Sequence, residues 1–224
     1  MRVRLVRLGV KAALTTLLLA IPIGTAEGAS STRLQRSYGE DTCFGEAPTI
    51  TGAPGQTVIG TSGDDVILGG GRVESGAGDD LVCDARYVLA GPGDDRIRML
   101  DGGTARGNGG NDEFVSITIS LTPVGTTLRG GSGNDVFWGG PTGELVYGGS
   151  GDDIARTGGG GDTVDLGRGD DQGYGGPGDD RFSGGEGADF VDGGQGYDMV
   201  DGGFDPDRCH AVEVRISCRL VRSP

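Results

Sequence analysis

From residue 130 onward the apolar positions recur once in nine. Phe137, Val146, Ala155, Val164, Phe182, Val191, Val200 and Cys209 keep this spacing, with Gly173 as the one gap. Two other positions of the unit are more regular still. The second is glycine in all nine copies, from Gly131 to Gly203, and the sixth is a carboxylate in all nine: Asp135, Glu144, Asp153, Asp162, Asp171, Asp180, Asp189, Asp198 and Asp207. The units follow one another over 130–210 without insertion or deletion. Random low complexity does not hold three positions in register for 81 residues, so the pattern predicts an ordered repeat.

The same unit recurs upstream with looser spacing. It returns at 60–68 with Asp65, 75–83 with Asp80, 90–98 with Asp95 and 107–115 with Asp112. A degenerate first copy at 51–59 has Gln56 where the carboxylate should stand. Short inserts at 69–74, 84–89 and 99–106 break the phase. A longer one, 116–129, alternates Ile117, Ile119 and Leu121, which predicts an extra strand or a hydrophobic flap. At the N-terminus, Arg2, Arg4, Arg7 and Lys11 precede a short apolar stretch, Ala12 to Ile23, then small residues with cleavage points after Ala26, Gly28 or Ala29. This is the pattern of a secretory signal. The stretch is short of the roughly 20 apolar residues that span a bilayer. The expected organisation is a signal peptide at 1–29, a lead-in at 30–50, irregular repeats at 51–129, in-phase repeats at 130–210 and a C-terminal cap at 211–224.

Composition changes the picture in two ways. Gly is 49 of 224 residues and aromatics are 5%. A conventional close-packed core cannot be built from this, because glycine buries no side chain and loses the most backbone freedom on folding. The net charge is −14. That disfavours nucleic acid and anionic membranes as partners and favours cations. Four cysteines, Cys43, Cys83, Cys209 and Cys218, would meet an oxidising compartment after export, and an even count favours disulfides. Three pairings are possible; we expect Cys43–Cys83 and Cys209–Cys218, each clamping one end of the array. A zinc site lacks a C-x-x-C pair and has only His210 nearby.

The unit resembles that of the RTX (repeats-in-toxin) family, G-G-x-G-x-D-x-U-x. Gly130-Gly131-Ser132-Gly133-Asn134-Asp135-Val136-Phe137-Trp138 agrees at each defining position, and the units beginning at Gly175, Gly184 and Gly193 agree as well. The opening Cys43-Phe44-Gly45 and the closing cysteine pair also resemble small secreted calcium-binding proteins of actinobacteria. The resemblance implies an all-β chain, a right-handed parallel β-roll with calcium ions between its turns. Positions 1 to 6 would form a turn and positions 7 to 9 a short strand, with two units to a coil. Asp135, Asp153, Asp171, Asp189 and Asp207 would then line one edge, and Glu144, Asp162, Asp180 and Asp198 the other. Asp65, Asp80, Asp95 and Asp112 are the upstream candidates for metal ligands.

Stacked coils lie about 4.8 Å apart. Like charges at that distance repel by roughly 1 kcal/mol in water and about 3–4 kcal/mol at an effective dielectric of 20. Summed along both rows, this rivals a domain's whole stability of about 5–15 kcal/mol. The roll is therefore expected to need counter-ions. Ca²⁺ fits: it accepts carboxylates and backbone carbonyls together, whereas Mg²⁺ is smaller and reluctant to lose water, and transition metals favour His or Cys. Several Ca²⁺ ions are expected, with folding and binding as one event. Gln56 would leave no site at the first turn, Ala155 and Gly173 would under-fill the core, and Pro206 would end the ladder.

The function expected is that of an extracellular calcium-binding structural or surface-interaction protein, not an enzyme. A secreted hydrolase has little to rest on. His210 is the single histidine, and the paired carboxylates fall at positions 5 and 6, where ion binding already explains them. The alternative is a carbohydrate-binding or adhesive surface, with Trp138, Tyr147 and Tyr174 stacking on an extracellular glycan. Pore formation does not transfer from the family, since an N-terminal signal replaces its usual C-terminal one.

Overall fold

The computed structural model describes residues 42–117 and 125–220. The expected signal peptide, most of the expected lead-in, and Ile119 and Leu121 of the expected flap lie outside the described residues. Within them the chain forms strands and turns only, wound into a parallel β-solenoid of about nine turns.

Two faces build it. The first stacks β1 (Ile50–Gly52), β3 (Val66–Gly69), the start of β5 (Leu81–Pro92) and of β6 (Arg96–Gly109), and β7 (Glu113–Ile117). It continues through β9 (Val136–Trp138), β11 (Ile154–Arg156), β13 (Gln172–Pro177), β15 (Phe190–Gln195), β17 (Asp207–His210) and β19 (Cys218–Leu220). The second stacks β2 (Thr57–Ile59), β4 (Arg72–Glu74), the later parts of β5 and β6, and β8 (Thr127–Ser132). Then come β10 (Leu145–Ser150), β12 (Thr163–Arg168), β14 (Arg181–Glu186), β16 (Met199–Gly203) and β18 (Val214–Ile216). Strands β5 and β6 turn the corner and serve both faces. Every ladder between these strands is parallel, so identical unit positions lie side by side.

The single apolar residue of each unit points between the faces. Ile67, Val82, Ile97, Phe114, Phe137, Ala155 and Val191 line one inner column, and Val73, Val88, Ala105, Leu128, Val146, Val164, Phe182 and Val200 the other; all are buried. The rings of Phe114 and Phe137 stack at 4.9 Å. The expected under-filling at Gly173 does not occur. A Cβ on Gly173 would stand 2.7 Å from Phe182 Cε1 and 3.5 Å from Leu166 Cδ1. The Phe182 ring from the opposite face, with Leu166, therefore takes the volume that a side chain at 173 would need.

Coil length explains the broken phase upstream. Successive first-edge aspartates are 15 residues apart from Asp65 to Asp95 and 18 apart from Asp135 onward. The 15-residue coil has one six-residue turn and one contracted turn, such as Gly69-Gly70-Gly71, where Gly69 and Gly70 take φ of 82° and 110°. What reads in the sequence as phase-breaking inserts is thus the second face itself: Arg72, Tyr87 and Thr104 run in register toward Thr127 and Leu145. Pro206 does not end the ladder either, since β17, β18 and β19 follow it. At its place in the neighbouring coils a backbone N–H donates to the side chain one coil earlier, as Ala188 does to Asp170 at 2.8 Å. Ala188 has no side-chain acceptor and Pro206 no donor, so the missing partners coincide.

The expected disulfides Cys43–Cys83 and Cys209–Cys218 are both formed. Next to the first, Phe44 lies under the Arg96 guanidinium at 4.3 Å.

Tight stacking makes certain glycines obligatory. Gly185 takes φ +114°, and a Cβ there would run into the Gly167 carbonyl oxygen of the preceding coil. Positive φ costs a non-glycine residue about 1–3 kcal/mol, and forced overpacking a similar amount. Gly185→Ala is expected to lower the stability of the calcium-loaded protein by about 3 kcal/mol, read from its urea midpoint. A change within about 0.5 kcal/mol, the usual surface range, would contradict this account of the stacking.

Candidate metal centre

The sixth position of each unit closes its turn just before a strand begins. Parallel stacking brings these residues into two rows. The first runs Asp65, Asp80, Asp95, Asp112, Asp135, Asp153, Asp171, Asp189, Asp207: each backbone N–H up to Asp189 donates to Oδ1 of the next aspartate, at 2.7–3.0 Å. The second runs Glu144, Asp162, Asp180, Asp198, joined in the same way. All thirteen carboxylates expected as ligands are therefore in the rows, and the upstream four join the first edge without a break.

In all but the row heads, Asp65 and Glu144, one oxygen of the carboxylate is spent on this ladder. The other, Oδ2 or Oε2, is buried and has no partner in twelve of the thirteen. Asp65 is the exception, since its Oδ2 accepts the Thr61 N–H at 2.7 Å and the Thr61 hydroxyl at 3.0 Å. Orphaned acceptors cost about 1–3 kcal/mol each when neutral groups are involved, and more when charged. The strain shows in the acidities. Burial, then the neighbouring carboxylates, push Asp95 and Asp135 up to about 8 and Asp171 to about 7. Burial first, with Asp162 adding to it, holds Glu144 at about 7. Burial likewise raises Asp80, Asp162, Asp198 and Asp207.

These oxygens face small spaces inside the turns. A Cβ on Gly130 would meet Asp135 Oδ2 and, at 2.7 Å, the Gly148 carbonyl oxygen of the next coil; Gly184, Asp189 and Gly202 repeat the arrangement. The donors are carboxylate and carbonyl oxygens from two successive coils. Such a set suits a hard cation, and its tolerance of irregular coordination favours Ca²⁺ over Mg²⁺. Among the described residues no three His, Cys, Asp or Glu side chains converge on one point. Any ion held here therefore draws its remaining ligands from backbone carbonyls and water.

Two sequence readings need correction. The fifth-position carboxylates do not point into the turns. They are exposed and form an outer ladder running the opposite way, in which Asp79 N–H donates to Asp64 Oδ1 at 3.0 Å and Asp170 N–H to Asp152 Oδ1 at 2.9 Å. The second row also has a member that the nonapeptide rule omits. Glu213 Oε2 accepts the Asp198 N–H at 2.8 Å. Its signal was present in the sequence: it precedes the apolar Val214 and lies 15 residues after Asp198, the spacing of Asp65, Asp80 and Asp95.

The outward aromatic residues have company. The Arg156 guanidinium sits over both Trp138 and Tyr174, 5.0 and 4.8 Å from their ring centroids, and Arg129 lies over Tyr147 at 3.9 Å. His210 stands on the outer surface with Nδ1 3.1 Å from Asp192 Oδ1.

Comparison with known proteins agrees with the geometry. The profile of the RTX calcium-binding nonapeptide repeat matches in four copies, at residues 55–71, 126–154, 138–173 and 174–209. No curated protein matches the chain. The matched segments are repeats of the RTX calcium-binding nonapeptide, and repeats of this kind bind several Ca²⁺ ions.

Proposed function

We propose that this chain is an extracellular calcium-responsive structural protein whose roll assembles as it takes up the ion. One observation carries the reading: two rows of buried carboxylates, of whose thirteen members twelve leave an oxygen without a partner. A protein that folds with such rows empty carries their whole electrostatic cost; a divalent cation between successive coils removes it. Extracellular calcium modules bind at about 10⁻⁴–10⁻³ M, so the chain would stay open in the cytosol and close after export. The basic and apolar N-terminal segment and the two disulfides support that route.

A glycan-binding surface has less support. Sugar stacking needs a free ring face, and arginines cover Trp138, Tyr174 and Tyr147. These contacts work instead as cation–π rungs along the outer faces. An enzymatic role likewise has little in the sequence to rest on, since His210 is the single histidine.

Far-ultraviolet circular dichroism of the secreted, disulfide-intact protein tests the proposal. At neutral pH in chelator the spectrum should be that of coil, and millimolar Ca²⁺ should restore β-structure. Identical spectra in both conditions would overturn the coupling of folding to binding.

A further inference from the structure

The second row continues past the last nonapeptide. Strand β16 pairs with β18 so that Met199 lies beside Val214. That register gives Glu213 the place before a strand that Asp180 holds before Arg181 and Asp198 before Met199. The turn that carries Glu213 is contracted to Ala211-Val212-Glu213, and Ala211 takes a left-handed φ of 47°. The Cys209–Cys218 disulfide spans it.

A separate observation points to a ligand there. Asp198 is fully buried, and its Oδ2 has no partner. A Cβ on Gly193 would stand 2.7 Å from that oxygen and 2.5 Å from the Ala211 carbonyl oxygen. A carboxylate oxygen and a carbonyl therefore face one small space that stays open because residue 193 is glycine. The first edge ends differently: beside Asp207 comes Cys218, whose sulfur is bonded to Cys209, so no carboxylate follows.

We propose that Asp198, Glu213 and the Ala211 carbonyl hold one more Ca²⁺ at the C-terminal cap, at a site that the nonapeptide pattern does not encode. The extra methylene of glutamate lets its carboxylate reach Asp198 from the shorter turn. The ion ties the disulfide-bounded cap to the last full coil. This rests on the reading of the rows as calcium sites, and the test separates the two.

Native mass spectrometry and calorimetric titration with Ca²⁺ are applied to the disulfide-intact secreted protein and to two variants. Glu213→Gln keeps an oxygen to accept the Asp198 N–H but loses the charge. Gly193→Ala leaves both carboxylates and puts a methyl group into the space. Each variant should bind one ion fewer than the parent, the remaining ions binding as before. Glu186→Gln, at an exposed surface ion pair with Arg168, should bind the parent's full number. A full complement in Glu213→Gln, with unchanged affinities, overturns the cap site whatever Gly193→Ala does. A parent that binds no calcium overturns the broader reading instead.

Discussion

Freed of divalent cations, the roll is expected to be folded at about pH 4 and to unfold as the pH rises from there toward 6. The row carboxylates dictate the sign. In the folded chain burial holds Asp112, Asp153, Asp180 and Asp189 at about 6, Glu144 and Asp171 at about 7, and Asp95 and Asp135 at about 8. In the unfolded chain they return to 3.8, or 4.5 for the glutamate. Below about pH 4 both states are protonated and the rows cost nothing. Between there and each folded pKa the native state holds protons that the unfolded state has released. Stability then falls with rising pH by up to about 1.4 kcal/mol per unit for each group. Eight such groups exhaust a stability of about 5–15 kcal/mol well before pH 8. Calcium reverses the trend, because the ion replaces the protons: calcium-loaded protein should be most stable near pH 8 and lose its ions as the pH falls through 8 to 6. Circular dichroism of dialysed, metal-free protein between pH 4 and 8 reads the effect, and equal β-content at both ends would refute it.

The second large effect changes sign with the metal. Asp171 lies mid-row, its Oδ1 accepting the Asp153 N–H at 2.7 Å while its other oxygen is orphaned. Asparagine keeps that acceptor and removes the charge. Without calcium at pH 8, Asp171→Asn should stabilise the roll by about 2–4 kcal/mol, since it abolishes a group whose pKa is raised from 3.8 to about 7. With calcium it should destabilise by a similar amount, because both sites that share Asp171 lose a charged ligand. The pH midpoint of unfolding in chelator, which should move upward, reads the metal-free arm, and urea unfolding at pH 8 in millimolar Ca²⁺ reads the other. A shift of the same sign in both would mean that the row does not serve the ion.

The acidic rows and the inward column were legible in the sequence because a strict nine-residue period fixes both at once. Asp135 through Asp207 could be assigned to edges by counting alone. Three features escaped for definite reasons. The second face upstream was hidden because Gly71, Arg86 and Gly103, not an acid, stand immediately before its strands, so Val73, Val88 and Ala105 read as parts of inserts. Gly173 read as a void because its partner, Phe182, comes from the opposite face nine residues later, a pairing that one column does not reveal. Glu213 was passed over because the spacing along its row shortens from eighteen to fifteen where the motif stops. In each case the coil, and not the nonapeptide, is the unit that stacking obeys.

The uneven coils give the roll a polarity. From Asp65 to Asp112 only one edge bears the acidic row, and Cys43–Cys83 already fastens that end. From Glu144 onward both edges bear it. In a solenoid each unit rests only on its neighbours, so order spreads from whichever stretch is easiest to close. The proximal coils carry half the electrostatic load and form the natural foundation. Growth is expected to proceed from the leading end toward the tail, which is the direction in which a chain exported as proposed above would meet the calcium outside.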